Sequence, residues 1–183
     1  WENRAIYDAS YRHSDPLKLQ LKKGEHTLSF EVKEGNFLLG NVGLSAAEEV
    51  EAYKGSEKAD GDAIIEIQGE EYAETNDSSI HAIAEYDTSL DPYTTTDTVL
   101  DSDSFNEAGQ RVTYSFNVEK AGYYNIAANY RQSDKTDFPV FVDVAIDGKI
   151  PNEAFRSYSM EYTTKYKKST MTDSEGKNLT VYL

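Results

Sequence analysis

Residues 112–131 read VTYSFNVEKAGYYNIAANYR, and they carry the clearest strand pattern of the chain. Apolar side chains alternate with polar ones through residues 112–118 and again through residues 124–130, and a Lys-Ala-Gly sequence separates the two runs. Because successive side chains of a strand point to opposite faces, the pattern predicts two half-buried strands joined by a turn into an antiparallel hairpin.

Similar alternation recurs in the rest of the chain. It is found in residues 17–21 and 28–32 around a Lys-Gly-Glu turn, in residues 140–146 before Asp147-Gly148, and in residues 179–183. Asp-Gly is a favoured pair for a tight hairpin turn. Many short strands separated by turns predict an all-β fold, an antiparallel β-sandwich.

Residues 45–62 have a different character. Ser45 and Glu48 have the spacing of a capping box, good helix formers continue to Lys54, and Gly55 is suited to end a helix. The sequence therefore predicts a short helix and linker over residues 46–62. This linker would separate residues 1–45, interpreted as the tail of a preceding sandwich, from residues 63–183, interpreted as a second sandwich that lacks its last strands.

An internal repeat supports this division. Residues 15–21 read DPLKLQL and residues 177–183 read KNLTVYL, and only the first copy continues into a hairpin. We interpret the chain as part of a longer precursor. We expect the hairpin of residues 17–32 to complete the second sandwich, within the chain or by a strand swap with a second copy.

The charge is concentrated in one part of the sequence. The net charge is −15, and residues 46–110 hold eighteen acidic and two basic side chains. Such a surface repels phosphate backbones and anionic lipids, so nucleic acid and membrane surfaces are poor partners. No run of 18 apolar residues is present to insert into a membrane. The acidic block is explained either as a solvated face or as a source of calcium ligands.

Sequence features of catalysis are weak. The chain has no cysteine, which excludes thiol chemistry, and its three histidines, His13, His26 and His81, have no metal-binding spacing. It also has no Gly-x-Ser-x-Gly sequence and no glycine-rich phosphate loop. We predict no catalytic residues and no enzymatic activity.

The hairpin sequence of residues 112–131 resembles the central hairpin of carbohydrate-binding modules of families 6 and 35. Residues 67–72, Ile-Gln-Gly-Glu-Glu-Tyr, resemble the opening strand of those modules. The resemblance implies a galactose-binding-like jelly roll. In addition, the Lys-Gly-Glu-His-Thr-Leu of residues 23–28 and the Asp-Gly-Lys-Ile-Pro of residues 147–151 are similar to regions of large solute-binding lipoproteins of bacterial sugar importers. That similarity implies a location outside the cell, at its surface; an ancillary domain of a glycoside hydrolase is the other context.

The resemblance also implies candidate sites. Gln68, Glu70 and Glu71 occupy the positions where such modules hold a structural Ca²⁺, although a plain solvated acidic edge is the alternative. Sugars stack on aromatic rings and hydrogen-bond to polar groups, so an oligo- or polysaccharide is the expected partner. The candidate ligand-binding residues lie in the long polar loops of residues 73–110 or at a strand end, and they are Tyr86, Asp87, Tyr93, Tyr130 and Arg131.

Two alternatives stay open. Tyr130 alternates in phase with the apolar face, so a core position is an alternative to a binding role. The Gly-x-Trp common in the family is replaced by Gly109-Gln110-Arg111, which favours a rival function, a structural spacer or protein-interaction module that binds no sugar.

Overall fold

The structure is a computed structural model that describes residues 5–6, 16–47, 49–61, 64–91, 93, 96–133 and 136–183. The chain divides into two compact units, Trp1–Glu49 and Val50–Leu183. Among the described residues, no helix is long and apolar enough to cross a membrane. Residues 50–61, which were predicted to be linker, belong to the second unit.

All strands of the described residues lie in the second unit. They are β1 (Glu74–Thr75), β2 (Ala82–Glu85), β3 (Asp97–Leu100), β4 (Val112–Thr113), β5 (Tyr123–Asn125), β6 (Ala127–Tyr130), β7 (Val140–Val142), β8 (Tyr158–Met160), β9 (Lys167–Thr170) and β10 (Thr180–Tyr182). A 3-10 turn at Glu153–Phe155 is capped by the Asn152 side chain, which accepts from the Ala154 N–H.

The strands form five antiparallel pairs: β1 with β4, β2 with β3, β5 with β10, β6 with β9, and β7 with β8. The all-β antiparallel class predicted from the sequence is therefore confirmed. The predicted turn at Asp147-Gly148 is also confirmed, because Ile146 and Lys149 exchange backbone hydrogen bonds of 2.8 and 2.9 Å across it. Both turn residues have positive φ, 50° and 76°, as a tight hairpin turn requires.

The predicted hairpin of residues 112–131 is wrong in its pairing. β4 pairs with β1, β5 with β10, and β6 with β9, while residues 114–118 form no strand. Alternation identifies which face of a strand is buried but not which strand lies beside it. The partners here lie about 40 to 60 residues away along the chain, so the pattern alone could not identify them.

The core of the second unit lies beneath β10. Phe155, Met171, Leu179 and Val181 are at most 5% exposed and form one cluster. β10 pairs with β5, and Gly122 and Leu183 continue the ladder with two hydrogen bonds of 2.9 Å. The alternation of residues 179–183 thus reflects a buried strand.

The predicted helix is wrong, because residues 45–47 and 49–61 contain no helix where they are described. Residues 51–61 instead lie along the second unit. The Tyr53 hydroxyl donates to Asp173 at 2.8 Å, and the Thr180 hydroxyl bonds both the N–H and the carbonyl of Glu57. Short helices are marginal on their own, so these tertiary hydrogen bonds and the packing of Tyr53 against the core override local propensity.

The first unit holds no strand in its described residues, so the predicted hairpin of residues 17–32 is not formed. An isolated two-stranded hairpin is marginal in water and needs a further apolar surface to pack on. The apolar side chains of the two predicted strands are 45–65% exposed; they are Leu17, Leu19, Leu21, Leu28, Phe30 and Val32.

Candidate functional site

The β6–β9 pair presents two chemically different faces. Tyr130 is opposite Lys167, and Asn129 is opposite Lys168. Tyr130 and Lys167 line a cavity of about 350 Å³ that also contains side chains of β7 and β8. Because side chains alternate along a strand, Asn129 and Lys168 lie on the opposite, outer face.

Arg131 is the centre of a charged cluster on this outer face. Its Nη1 lies 2.7 Å from Oδ2 of Asp87, and its Nη2 lies 2.9 Å from Oε2 of Glu85. Its guanidinium carbon lies 5.1 Å from the centroid of the Tyr166 ring, which is cation–π distance. The Tyr166 hydroxyl completes the cluster by donating to Oε2 of Glu85 at 3.2 Å. Two carboxylates and one ring therefore fix the guanidinium plane.

The loop after β2 is fixed by the same carboxylates. Oε1 of Glu85 accepts from the backbone N–H groups of Tyr86 and Asp87 at 2.8 and 3.2 Å. Oδ1 of Asp87 accepts from the N–H and the hydroxyl of Ser89 at 2.9 and 2.7 Å. The Ser89 hydroxyl oxygen in turn accepts from the N–H of Tyr166 at 2.9 Å. Side-chain and backbone hydrogen bonds therefore tie the loop to β9.

These contacts determine the protonation states in the cluster. The Ser89 hydroxyl and N–H and the Arg131 guanidinium lower the pKa of Asp87 to about 2. Burial, reinforced by the negative charge of Glu85, raises the pKa of Tyr166 to about 12. At neutral pH, Asp87 is therefore an anion and Tyr166 a neutral hydrogen-bond donor.

Of the five predicted ligand-binding residues, Asp87 and Arg131 are in direct contact. Tyr86 adjoins Asp87 in the chain and is 70% exposed. Tyr93 is 96% exposed in the same long loop, where its N–H donates to Asp91 at 2.9 Å. Tyr130 lies on the cavity-lining face, away from Arg131.

Sequence analysis missed Glu85, Ser89 and Tyr166. Glu85 directly precedes Tyr86 and Asp87, two predicted ligand-binding residues, so its position in the sequence could have identified it. Tyr166 is one of 14 tyrosines, and it reaches Glu85 across 81 residues of sequence. No local pattern marks such a contact.

The carboxylates of the cluster have hydrogen-bond partners within the chain. All four carboxylate oxygens of Glu85 and Asp87 already accept hydrogen bonds. Two exposed tyrosines, Tyr86 and Tyr93, lie in the loop that these carboxylates order. Aromatic faces next to placed polar groups are typical of small-molecule and sugar sites.

The predicted calcium ligands, Gln68, Glu70 and Glu71, lie in or beside one turn of the chain. Gln68 and Glu71 are exposed, and they are joined by a turn in which the Glu71 N–H donates to the Gln68 carbonyl at 3.1 Å. Oε2 of Glu70 is buried without a hydrogen-bond partner, which suits a cation. The part of the chain that is described contains no group of three or more His, Cys, Asp or Glu able to hold a metal. Calcium at these residues stays a prediction.

Many acidic residues of the long loops have a structural role. The Asp77, Asp87, Asp91 and Asp101 side chains each accept from the backbone N–H two residues further along, at 2.9 to 3.1 Å. These are Asx turns, which stabilise a bend in the chain without apolar contacts. The N–H of Ser79 is also the main cause that lowers the pKa of Asp77.

Comparison with known proteins returns no relative. No family model matches the sequence, and no curated protein or solved structure matches it either.

Proposed function

We propose that the second unit binds carbohydrate at the outer face of β6–β9, with Tyr86 as the stacking platform. The observation that carries this proposal is Tyr86, which is 70% exposed and lies in the chain between Glu85 and Asp87, the two residues whose carboxylates bind Arg131. A ring on a loop that is already ordered loses little conformational entropy when a ligand binds. Tyr93, exposed in the same loop, is the second aromatic contact.

The wider context of the proposal rests on the resemblance to families 6 and 35. In this context the unit is a galactose-binding-like jelly roll without catalytic activity, carried by a bacterial protein at the cell surface. A solute-binding lipoprotein of a sugar importer is the favoured parent. The antiparallel all-β character of the unit supports this assignment at the level of class.

Titration calorimetry against plant and host oligosaccharides tests the proposal. Tyr86→Ala is expected to weaken binding about tenfold, which corresponds to the roughly 1.4 kcal/mol that one aromatic contact contributes. Phe141→Ala is the matched control, because Phe141 is 63% exposed on β7 and takes no part in the cluster. No binding of any oligosaccharide at millimolar concentration would refute the proposal.

A structural spacer or protein-interaction module is the second candidate function. It is favoured by the internal satisfaction of Glu85 and Asp87, whose oxygens all have partners within the chain. Under this alternative, the cluster only fastens the loop to β9. Arg131→Ala would then lower the melting temperature while no glycan binds to the unaltered chain.

A further inference from the structure

The first unit exposes an unusual amount of apolar surface. Eleven large apolar side chains between residues 17 and 44, which we call the apolar segment, are 45% to 85% exposed, with Phe30 at the lower limit and Leu38 at the upper. Soluble monomers rarely leave apolar surface of this extent in contact with water. The segment therefore has the character of a surface that a partner covers.

The second unit contains the same sequence pattern in a buried state. Residues 177–183 repeat the pattern of residues 15–21, and in that repeat Leu179 is 1% and Val181 is 3% exposed. The corresponding Leu17 and Leu19 are 56% and 65% exposed. The apolar side chains of residues 177–183 are thus buried in a core, whereas the equivalent side chains of residues 15–21 are exposed.

Residues 19–44 of the segment also lack backbone pairing among the described residues. Among the described residues, no N–H of residues 19–44 donates to a backbone carbonyl. Alternating apolar side chains next to free backbone donors and acceptors are the features that allow one strand to pair with another chain. The missing partner is therefore expected to add strands as well as apolar area.

The distribution of charge favours a second copy of this chain as that partner. Residues 16–47 hold four basic and three acidic side chains, a net charge of +1, so the rest of the chain carries −16 of the total −15. Two copies repel each other wherever the acidic part faces itself. The apolar segment lies outside the acidic residues 46–110, so two copies can meet through it without that repulsion.

The area is also sufficient for a dimer. A fully exposed large apolar side chain offers on the order of 100 Å² to burial. Eleven that are roughly half exposed supply about 500 Å² from each copy, and thus about 1,000 Å² in total. That is the size at which specific interfaces begin.

We propose that the apolar segment pairs with the same segment of a second copy, forming a symmetric dimer through residues 17–44. This inference is independent of the carbohydrate site, which lies in the second unit.

Sedimentation of the full chain tests the dimer. The unaltered chain is expected to sediment as a dimer, and Leu19→Asp with Phe30→Asp is expected to weaken dimerisation at least tenfold. Ile64→Asp is the control, because Ile64 is 93% exposed outside the segment and the change adds the same kind of charge. A wild-type chain that is monomeric up to its solubility limit, or a control that dissociates equally, overturns the proposal. Unchanged circular dichroism of the variants excludes loss of folding as the cause.

A mixing experiment distinguishes symmetric pairing from strand exchange onto residues 50–183 of another copy. The doubly substituted chain is labelled with a fluorophore and sedimented with an excess of unlabelled wild type. Symmetric pairing requires both segments, so the labelled chain is expected to stay monomeric. Strand exchange would leave its acceptor surface intact, so co-sedimentation with the wild type overturns the proposal.

Discussion

Gly61→Ala tests the packing of residues 50–61 on the second unit. A Cβ at this position would overlap the Tyr124 ring, at 2.5 Å from Cζ and closer still to Cε1. The ring cannot swing away freely, because its hydroxyl donates to the Lys120 carbonyl at 2.7 Å and the side chain packs against the core cluster. The backbone cannot lift freely either, since the N–H groups of Asp60 and Gly61 donate to the Tyr123 carbonyl at 3.1 and 3.2 Å.

The magnitude follows from these contacts. Overpacking a filled site costs roughly 1–3 kcal/mol, and each hydrogen bond that is lost to relieve the clash costs about 1 kcal/mol. We therefore expect Gly61→Ala to lower the free energy of unfolding by about 2–3 kcal/mol. For a chain of this size the melting temperature then falls by about 5–10 °C.

Thermal unfolding followed by circular dichroism measures the effect. Gly69→Ala is the matched control, because nothing lies within 4 Å of a Cβ at Gly69 and the expected change is within about 0.5 kcal/mol. If residues 50–61 were a free linker or helix, Gly61→Ala would be neutral or slightly stabilising. A melting temperature within a degree of the unaltered chain would refute the packing of this segment on Tyr124.

Two further predictions concern the carboxylates. The folded-state pKa of Asp87 is about 2 against an ordinary value of 3.8, so its stabilisation is present above about pH 4 and is lost as the pH falls towards about 2. Hydrogen bonds also lower the pKa values of Asp77 and Asp173, so these residues contribute in the same direction. We expect the melting temperature of Asp87→Asn to fall less between about pH 4 and about pH 2 than that of the unaltered chain. An equal fall in both chains would contradict the lowered pKa of Asp87. If Ca²⁺ binds at Glu70, a concentration of about 100 Kd raises stability by about 2.7 kcal/mol, and Glu70→Gln abolishes the effect while Glu66→Gln, at an exposed position, does not. A wild-type melting temperature that is the same in Ca²⁺ and in chelator would rule calcium out.

The fold class was predictable because alternation depends only on local burial. Residues 179–183 alternate since Leu179 and Val181 face the core, and Asp147-Gly148 forms its turn with the positive φ values that this pair tolerates. Pairing was not predictable, because β10 reaches β5 across more than 50 residues. The helix prediction failed for a related reason. The helix propensity of residues 46–54 depends only on neighbouring residues, and hydrogen bonds to distant residues such as Asp173 outweigh it.

The sequence allowed some residues of the candidate site to be predicted, but not the contacts between them. Period-2 alternation separates Tyr130 from Arg131: Tyr130 is in phase with the apolar residues Ile126 and Ala128, and the residue that follows must point the other way. The sequence therefore contained the signal that Tyr130 lines the cavity and Arg131 lies outside. The ion pairs of Arg131 cross 44 and 46 residues, and nothing local indicated them.

The acidic loops explain how a site can be ordered so far from the core. Loops of this length would normally lose too much conformational entropy to hold a ring in place. Asp87 and Asp91 offset part of that loss through their Asx turns, and Arg131 adds two ion pairs that anchor the loop to β6. These contacts are hydrogen bonds and ion pairs, so the ordering that they provide is electrostatic. The position of Tyr86 should therefore depend more on the Arg131 ion pairs than on the packing beneath β10.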